Sequence, residues 1–254
     1  MTDILDPTGP VDVNTELDAL ACRYKRAGGL GVDLLNLVGG KAEGLIDQLP
    51  AQVRGGLEQA TRRALEQAMK AAHGSRSMVP DQKSWLNSAV GAAMGAVGGA
   101  GGLPTALAEL PVTTTLLLRV IQGVAQEHGF DPSAESVQFD CVQVFASAGP
   151  LEEDDGADLG FISARVTLTG AAVQGLIARV SPRLATVLGQ KLAAQTVPVL
   201  GAVAGAATNY AYTSYYQEMA HVHFGLRRLS ITSDVPLDAL IERLRQRVGR
   251  KDVV

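Results

Sequence analysis

The sequence predicts an all-α protein, a single globular bundle of eight to ten helices with two Gly/Ala-rich, closely packed helices in its core. Three observations lead there. Apolar residues recur at spacings of three and four, and no stretch shows the period-two alternation of a half-buried strand. Pro, Gly, Ser and Asp punctuate the chain at intervals that suit helix ends. Two long stretches, residues 84–108 and 192–217, contain no Asp, Glu, Lys or Arg and are built largely from Gly and Ala.

Residues 1–11, with Asp3, Asp6, Pro7, Gly9 and Pro10, read as a disordered leader, and residues 12–249 as one helical domain. Residues 12–27 form a first amphipathic helix with Leu17, Leu20 and Tyr24 on one face, stopped by Gly28 and Gly29. Residues 30–49 form a second, loosened by Gly31, Gly39, Gly40 and Gly44. Pro50 suits the first turn of a third, which runs to about His73 and carries a charged stripe of Arg54, Glu58, Arg62, Glu66 and Lys70 at four-residue spacing. A polar loop over 74–83 precedes the first uncharged stretch. Pro104 opens a helix reaching His128, with a kink near Pro111. Asp131 and Pro132 cap a helix over 133–148, and the acids of 150–160 form a solvated loop. Residues 161–180 are helical, and Ser181-Pro182 then reads as the N-cap and first position of another helix. The second uncharged stretch forms a helix from Pro198 to about Phe224, and Asp234 with Pro236 starts the last, ending near Val248.

Composition excludes several classes of function. A chain of 254 residues can bury a full core. Its net charge is −4 and basic residues are not interleaved with aromatics, so no nucleic-acid partner is expected. The basic segment Arg243, Arg245, Arg247, Arg250 and Lys251 reads as a solvated helix face, or as an electrostatic foot on an anionic membrane. Cys22 and Cys141 make neither a metal spacing nor a disulfide framework. The N-terminus has no basic and apolar signal pattern, so a cytoplasmic protein is expected, peripheral on the inner face of the membrane.

The glycines come next. Gly91, Gly95 and Gly99 stand four apart, the spacing that lets helices approach closely. Each glycine costs a helix roughly 0.8–1 kcal/mol against alanine, so six in residues 84–108 imply tight packing or entry of a lipid. The uncharged stretches are long enough to cross a bilayer, but Gly98-Gly99, Gly101-Gly102 and Pro198 break them. Four of five tyrosines fall within seven residues. Tyr212, Tyr215, Tyr216, Met219 and His223 share a helical face, with Asn209 one turn earlier, which suits a membrane interface, a pocket wall or a buried face.

Signals of catalysis are weak. Glu218 and His221 lie three apart on one face, the geometry of a carboxylate-bridged metal site, but no second matching helix accompanies them. His128, before Gly129, reads as a helix-end cap. No G-x-S-x-G elbow, H-E-x-x-H pair or dinucleotide fingerprint occurs, and Cys141 lies on an apolar face as an inert thiol. No cofactor and no catalytic residue is assigned.

Two blocks carry a resemblance. One is Gly101-Gly102-Leu103-Pro104 through Leu110-Pro111, Leu118-Arg119-Val120-Ile121, Ala125 and Gly129-Phe130-Asp131. The other is Pro198-Val199-Leu200-Gly201-Ala202, Gly205-Ala206-Ala207, Asn209, Ala220, Phe224 and Arg227. In these the chain resembles the EcsC family of bacterial proteins, named from a gene beside an ATP-binding-cassette transporter. The resemblance implies a helical protein near a membrane system and supplies no catalytic residues. In texture the Gly/Ala helices also resemble the lipid-binding senescence domain.

The expected function is binding of lipid or another apolar ligand between the two Gly/Ala stretches, as a peripheral accessory to a membrane transport system. Trp85, Gly95, Gly99, Leu103, Asn209, Tyr212, Tyr215 and Tyr216 are the expected contacts. Partners would be lipid or a membrane surface and a membrane protein. The alternatives are a soluble interaction scaffold built on the third and last helices, and a metal-dependent hydrolase on Glu218 and His221.

Overall fold

The longest helix organises the others. In a computed structural model describing residues 12–37, 47, 49–75, 102–145, 170–195 and 201–249, the regular elements are α1 (Val13–Leu37), α2 (Ala51–Ser75), α3 (Gly102–Glu127), α4 (Glu135–Val144), α5 (Gly170–Gln195), α6 (Gly201–Ser233) and α7 (Leu237–Val248). All are helices, seven among the described residues. At 33 residues α6 spans about 50 Å. It packs against α1, α3, α4, α5 and α7, while α2 lies against α3 and α5.

Within the described residues two expected breaks between helices are absent. Gly28 and Gly29 do not stop α1, which continues to Leu37. Two interior glycines weaken that helix by roughly 1 kcal/mol each. That cost bends the preference without breaking the helix, whose N-terminal part is held by the buried Leu17, Leu20, Ala21, Tyr24 and Ala27. Ser181 and Pro182 do not start a helix either; both lie inside α5. Proline there removes a backbone donor, yet Ile177, Val180, Leu184 and Ala185 bury the stripe on either side. The Ser181 hydroxyl donates instead to the Ile177 carbonyl at 2.6 Å. Pro111 likewise sits within α3, where Thr115 donates to its carbonyl at 2.7 Å.

Several expected ends hold. Asp12 accepts from the Asn14 amide at 3.0 Å and the Thr15 hydroxyl at 2.6 Å, starting α1. The Pro50 carbonyl takes the amides of Val53 and Arg54 at the start of α2. After α3, the Phe130 amide reaches the Ala125 carbonyl and the Gly129 amide that of Gln126, with Gly129 at φ +84°. That pair of bonds is a Schellman closure, and only glycine takes its left-handed position freely. Asp131 holds the Ser133 amide and hydroxyl, but the following helix is shorter than expected, Glu135–Val144. α6 runs past Phe224 to Ser233, where Asp234 turns to φ 53° and Pro236 begins α7.

Gly74 and Ser75, expected to open a loop, still belong to α2, and the leader 1–11, the rest of that loop at 76–83, the acidic segment 150–160 and most of 84–108 lie outside the described residues. The core is made by one stripe from each helix. It includes Leu17, Leu65, Leu117, Leu118, Ile121, Val142, Phe145, Leu184, Leu188, Phe224 and Leu244. The basic face of α7 is tied down: Arg247 meets Asp18 and Asn14 of α1, each at 2.7 Å, and Leu240, Ile241 and Leu244 are buried. Arg250 and Lys251 lie outside the described residues.

Candidate functional site

Two constellations on α6 gather the polar side chains of the interior. The first is a seam between α1, α3 and α6. Glu218, nearly buried, receives Arg23 at 2.8 Å and Arg26 at 3.2 Å, both from α1. One turn on, His221 meets His128 at the end of α3, Nδ1 to Nε2, at 3.1 Å. Glu127 approaches the other nitrogen of His221 at 3.8 Å. Burial first, then Arg228 and Arg23, pushes His128 down to about 4. Burial, then Arg23 and His128, pushes His221 down to about 3. Glu127 pulls the other way, but it is half-exposed and at long range, and burial prevails. Both rings are therefore neutral at pH 7, one donating to the other. This corrects the reading of His128 as a cationic cap: its ring serves as a partner for another helix.

Two residues further, His223 points to the other side of α6, where Nε2 stands 3.4 Å from Asp140 of α4. Asp140 accepts from Arg227, whose guanidinium lies 4.7 Å over the Phe130 ring. Complete burial pushes His223 down to about 4, and the carboxylate beside it, already paired with Arg227, does not offset that. Glu218 and His221 thus face different partners despite their shared face. Among the described residues no three His, Cys, Asp or Glu side chains are placed to hold a metal. Cys141 is buried and Cys22 exposed.

The second constellation lies where α5 and α6 face each other. Tyr212, Tyr215 and Tyr216 are buried, as is Asn209; Tyr210 points outward. The Tyr212 hydroxyl donates to the Val187 carbonyl at 3.0 Å, while the Tyr216 ring packs edge-on against Phe145 and Tyr215, with centroids 5.2 and 5.3 Å away. These tyrosines are interior walls, not a surface belt. Trp85, Gly95 and Gly99 lie outside the described residues, and Leu103 is described only in its backbone, in the first turn of α3.

Sequence reading missed the polar company of these tyrosines. Lys191 is fully buried on α5, beside Gln190, and Thr208 is fully buried on α6. A signal existed: Lys191 continues the apolar stripe of Ile177, Val180, Leu184 and Leu188, where a charge is out of place. Gln190 Oε1, Thr208 Oγ1 and, on α2, Thr61 Oγ1 are buried without a hydrogen-bond partner among the described residues.

No curated protein and no solved structure matches the chain. A family model does: that of the EcsC protein family matches residues 44–229, which covers α2 through most of α6. The chain belongs to the EcsC protein family.

Proposed function

We propose that the protein binds an amphipathic, lipid-like ligand within its helical bundle, against the two Gly/Ala stretches, and works as a peripheral accessory of a membrane system. One observation carries this reading. The interior holds buried polar atoms without partners among the described residues, on Thr61, Gln190 and Thr208. A buried polar atom left unpaired costs roughly 1–3 kcal/mol, so three together favour an interior that receives polar groups from a guest. A mostly apolar interior with a few polar groups suits such a guest. No described helix is long and apolar enough to cross a membrane, which favours contact with a membrane over spanning it.

Native mass spectrometry of the purified protein, followed by solvent extraction, tests this. An amphiphile at fixed stoichiometry is expected, and Gly95→Leu with Gly99→Leu should lose it. A bare-chain mass for the wild type sinks the reading.

A further inference from the structure

We propose that α1 is a displaceable strap, and that the face of α6 beneath it is a docking surface for a basic amphipathic helix of a partner protein. This surface stands apart from the interior ligand. Two features of α6, about two helical turns apart, define it. At Gly225 the missing side chain leaves a notch that Leu20 fills, since a methyl group there would come 2.6 Å from the leucine. At Glu218 a nearly buried carboxylate accepts from Arg23 at 2.8 Å and from Arg26 at 3.2 Å. Val222 and Leu229, both buried, fall on the same side of α6 by their spacing of three and four. The surface therefore reads a leucine followed, three and six residues later, by two cations, on a helix running antiparallel to α6.

The receiving residues and the strap separate cleanly. Gly225 and Glu218 lie inside the family match at 44–229, whereas α1 ends at Leu37, before it. α1 packs on α6 and on α7, which begins at Leu237, after the match. Meanwhile α2, α3 and α5 pack against one another. The bonds of the strap are also of a kind that another helix replaces. Arg23 and Arg26 are partly exposed, so their heads stay solvated when α1 lifts. His128 and His221, beside the seam, are neutral, chiefly through burial, so the cations that answer Glu218 come from the strap. With α1 lifted, Glu218 presents a negative charge within an apolar stripe. Such a stripe favours a helix that brings cations and rejects an acidic one.

Peptide competition on the full chain tests this. The probe is a fluorescein-labelled peptide of residues 12–29, which carries Leu20, Arg23 and Arg26, and binding is read by anisotropy. In the wild type the tethered α1 competes at high local concentration, so the peptide should bind weakly. The double variant Arg23→Ala with Arg26→Ala weakens the strap and leaves the surface intact, so the peptide should bind it at least tenfold more tightly. Adding Glu218→Gln should remove most of that gain, and a peptide with both arginines replaced by alanine should show none of it. Leu20→Ala weakens the strap at the notch instead, and should give a similar gain even if the arginine variant fails to fold. Peptide binding no tighter to the weakened straps than to the wild type overturns the strap and makes α1 an integral part of the bundle. Dimers of the weakened variants in native mass spectrometry overturn the foreign partner and assign the surface to α1 of a second copy.

Discussion

His223 shows how one side chain links burial to pH. Its ring is enclosed and neutral, and it takes a proton only near pH 4. In the unfolded chain the same ring takes one near pH 6.5. Between those values the unfolded state holds the extra proton, so stability is complete above pH 7 and falls as the pH drops through 6.5 toward 4. At pH 5 His223 alone should remove about 2 kcal/mol, before the His128–His221 pair adds its own loss in the same direction. Urea unfolding at pH 7.5 and pH 5 checks this, and His223→Gln should flatten the dependence. If the wild type is equally stable at both values, the buried rings are not neutral as described. Two residues apart on one helix, His221 and His223 point to opposite sides of α6, toward His128 and Asp140. The sequence could not reveal that His128, 93 residues from His221, would be the partner.

Among helices, the glycines separate into two kinds. A methyl group added at Gly28, Gly29, Gly55 or Gly56 would meet nothing within 4 Å. At Gly225 it would come 2.6 Å from Leu20, where α1 crosses α6. Gly28→Ala and Gly29→Ala should therefore each stabilise the protein by about 0.8–1 kcal/mol through helix propensity. Gly225→Leu should instead push α1 away and destabilise by roughly 1–3 kcal/mol, the range for overpacking. Thermal denaturation of the three variants reads both signs, and a neutral Gly225→Leu would show that α1 and α6 do not approach as described. Close packing by glycine thus occurs at Gly225. The expected sites Gly95 and Gly99 lie outside the described residues.

Across the whole molecule, α1 joins the ends of the chain. Its Leu20 packs on Gly225, its Arg23 and Arg26 hold Glu218, and its Asp18 holds Arg247 of α7. Going up α1 the contacts go down α6, so the two run antiparallel. α1 lies before the matched 44–229, so the helix that closes the seam over Glu218 comes from outside the family match. Glu218→Gln should loosen this closure. Charge-assisted bonds contribute about 1.5–3 kcal/mol, and the solvent around the two arginines reduces that to about 1–2 kcal/mol here. Hydrogen exchange should rise across 13–27 while α2 and α5 stay protected. An unchanged exchange pattern would show that α1 is held by its leucines alone.

The sequence by itself determined what local chemistry determines. It fixed the all-helical class through apolar spacing, the start of α1 at Asp12, the start of α2 at Pro50, the close of α3 at Gly129, and the inward stripe of Leu17, Leu20 and Tyr24. The family blocks were legible too, because they are short strings of Gly, Pro, Ala and Leu read directly from the sequence. The tertiary structure decided whatever depended on burial. Gly28-Gly29 and Ser181-Pro182 are helix breakers in isolation, yet α1 and α5 run through them, α5 with buried side chains on both sides of the proline. The tyrosines of α6 fit a membrane surface or an interior equally well until α4 and α5 covered them. Lys191, written as the last charge before an uncharged stretch, became an interior side chain only when the bundle closed around it. Propensity and capping act over a few residues, whereas the energy of a buried side chain depends on helices far away in sequence.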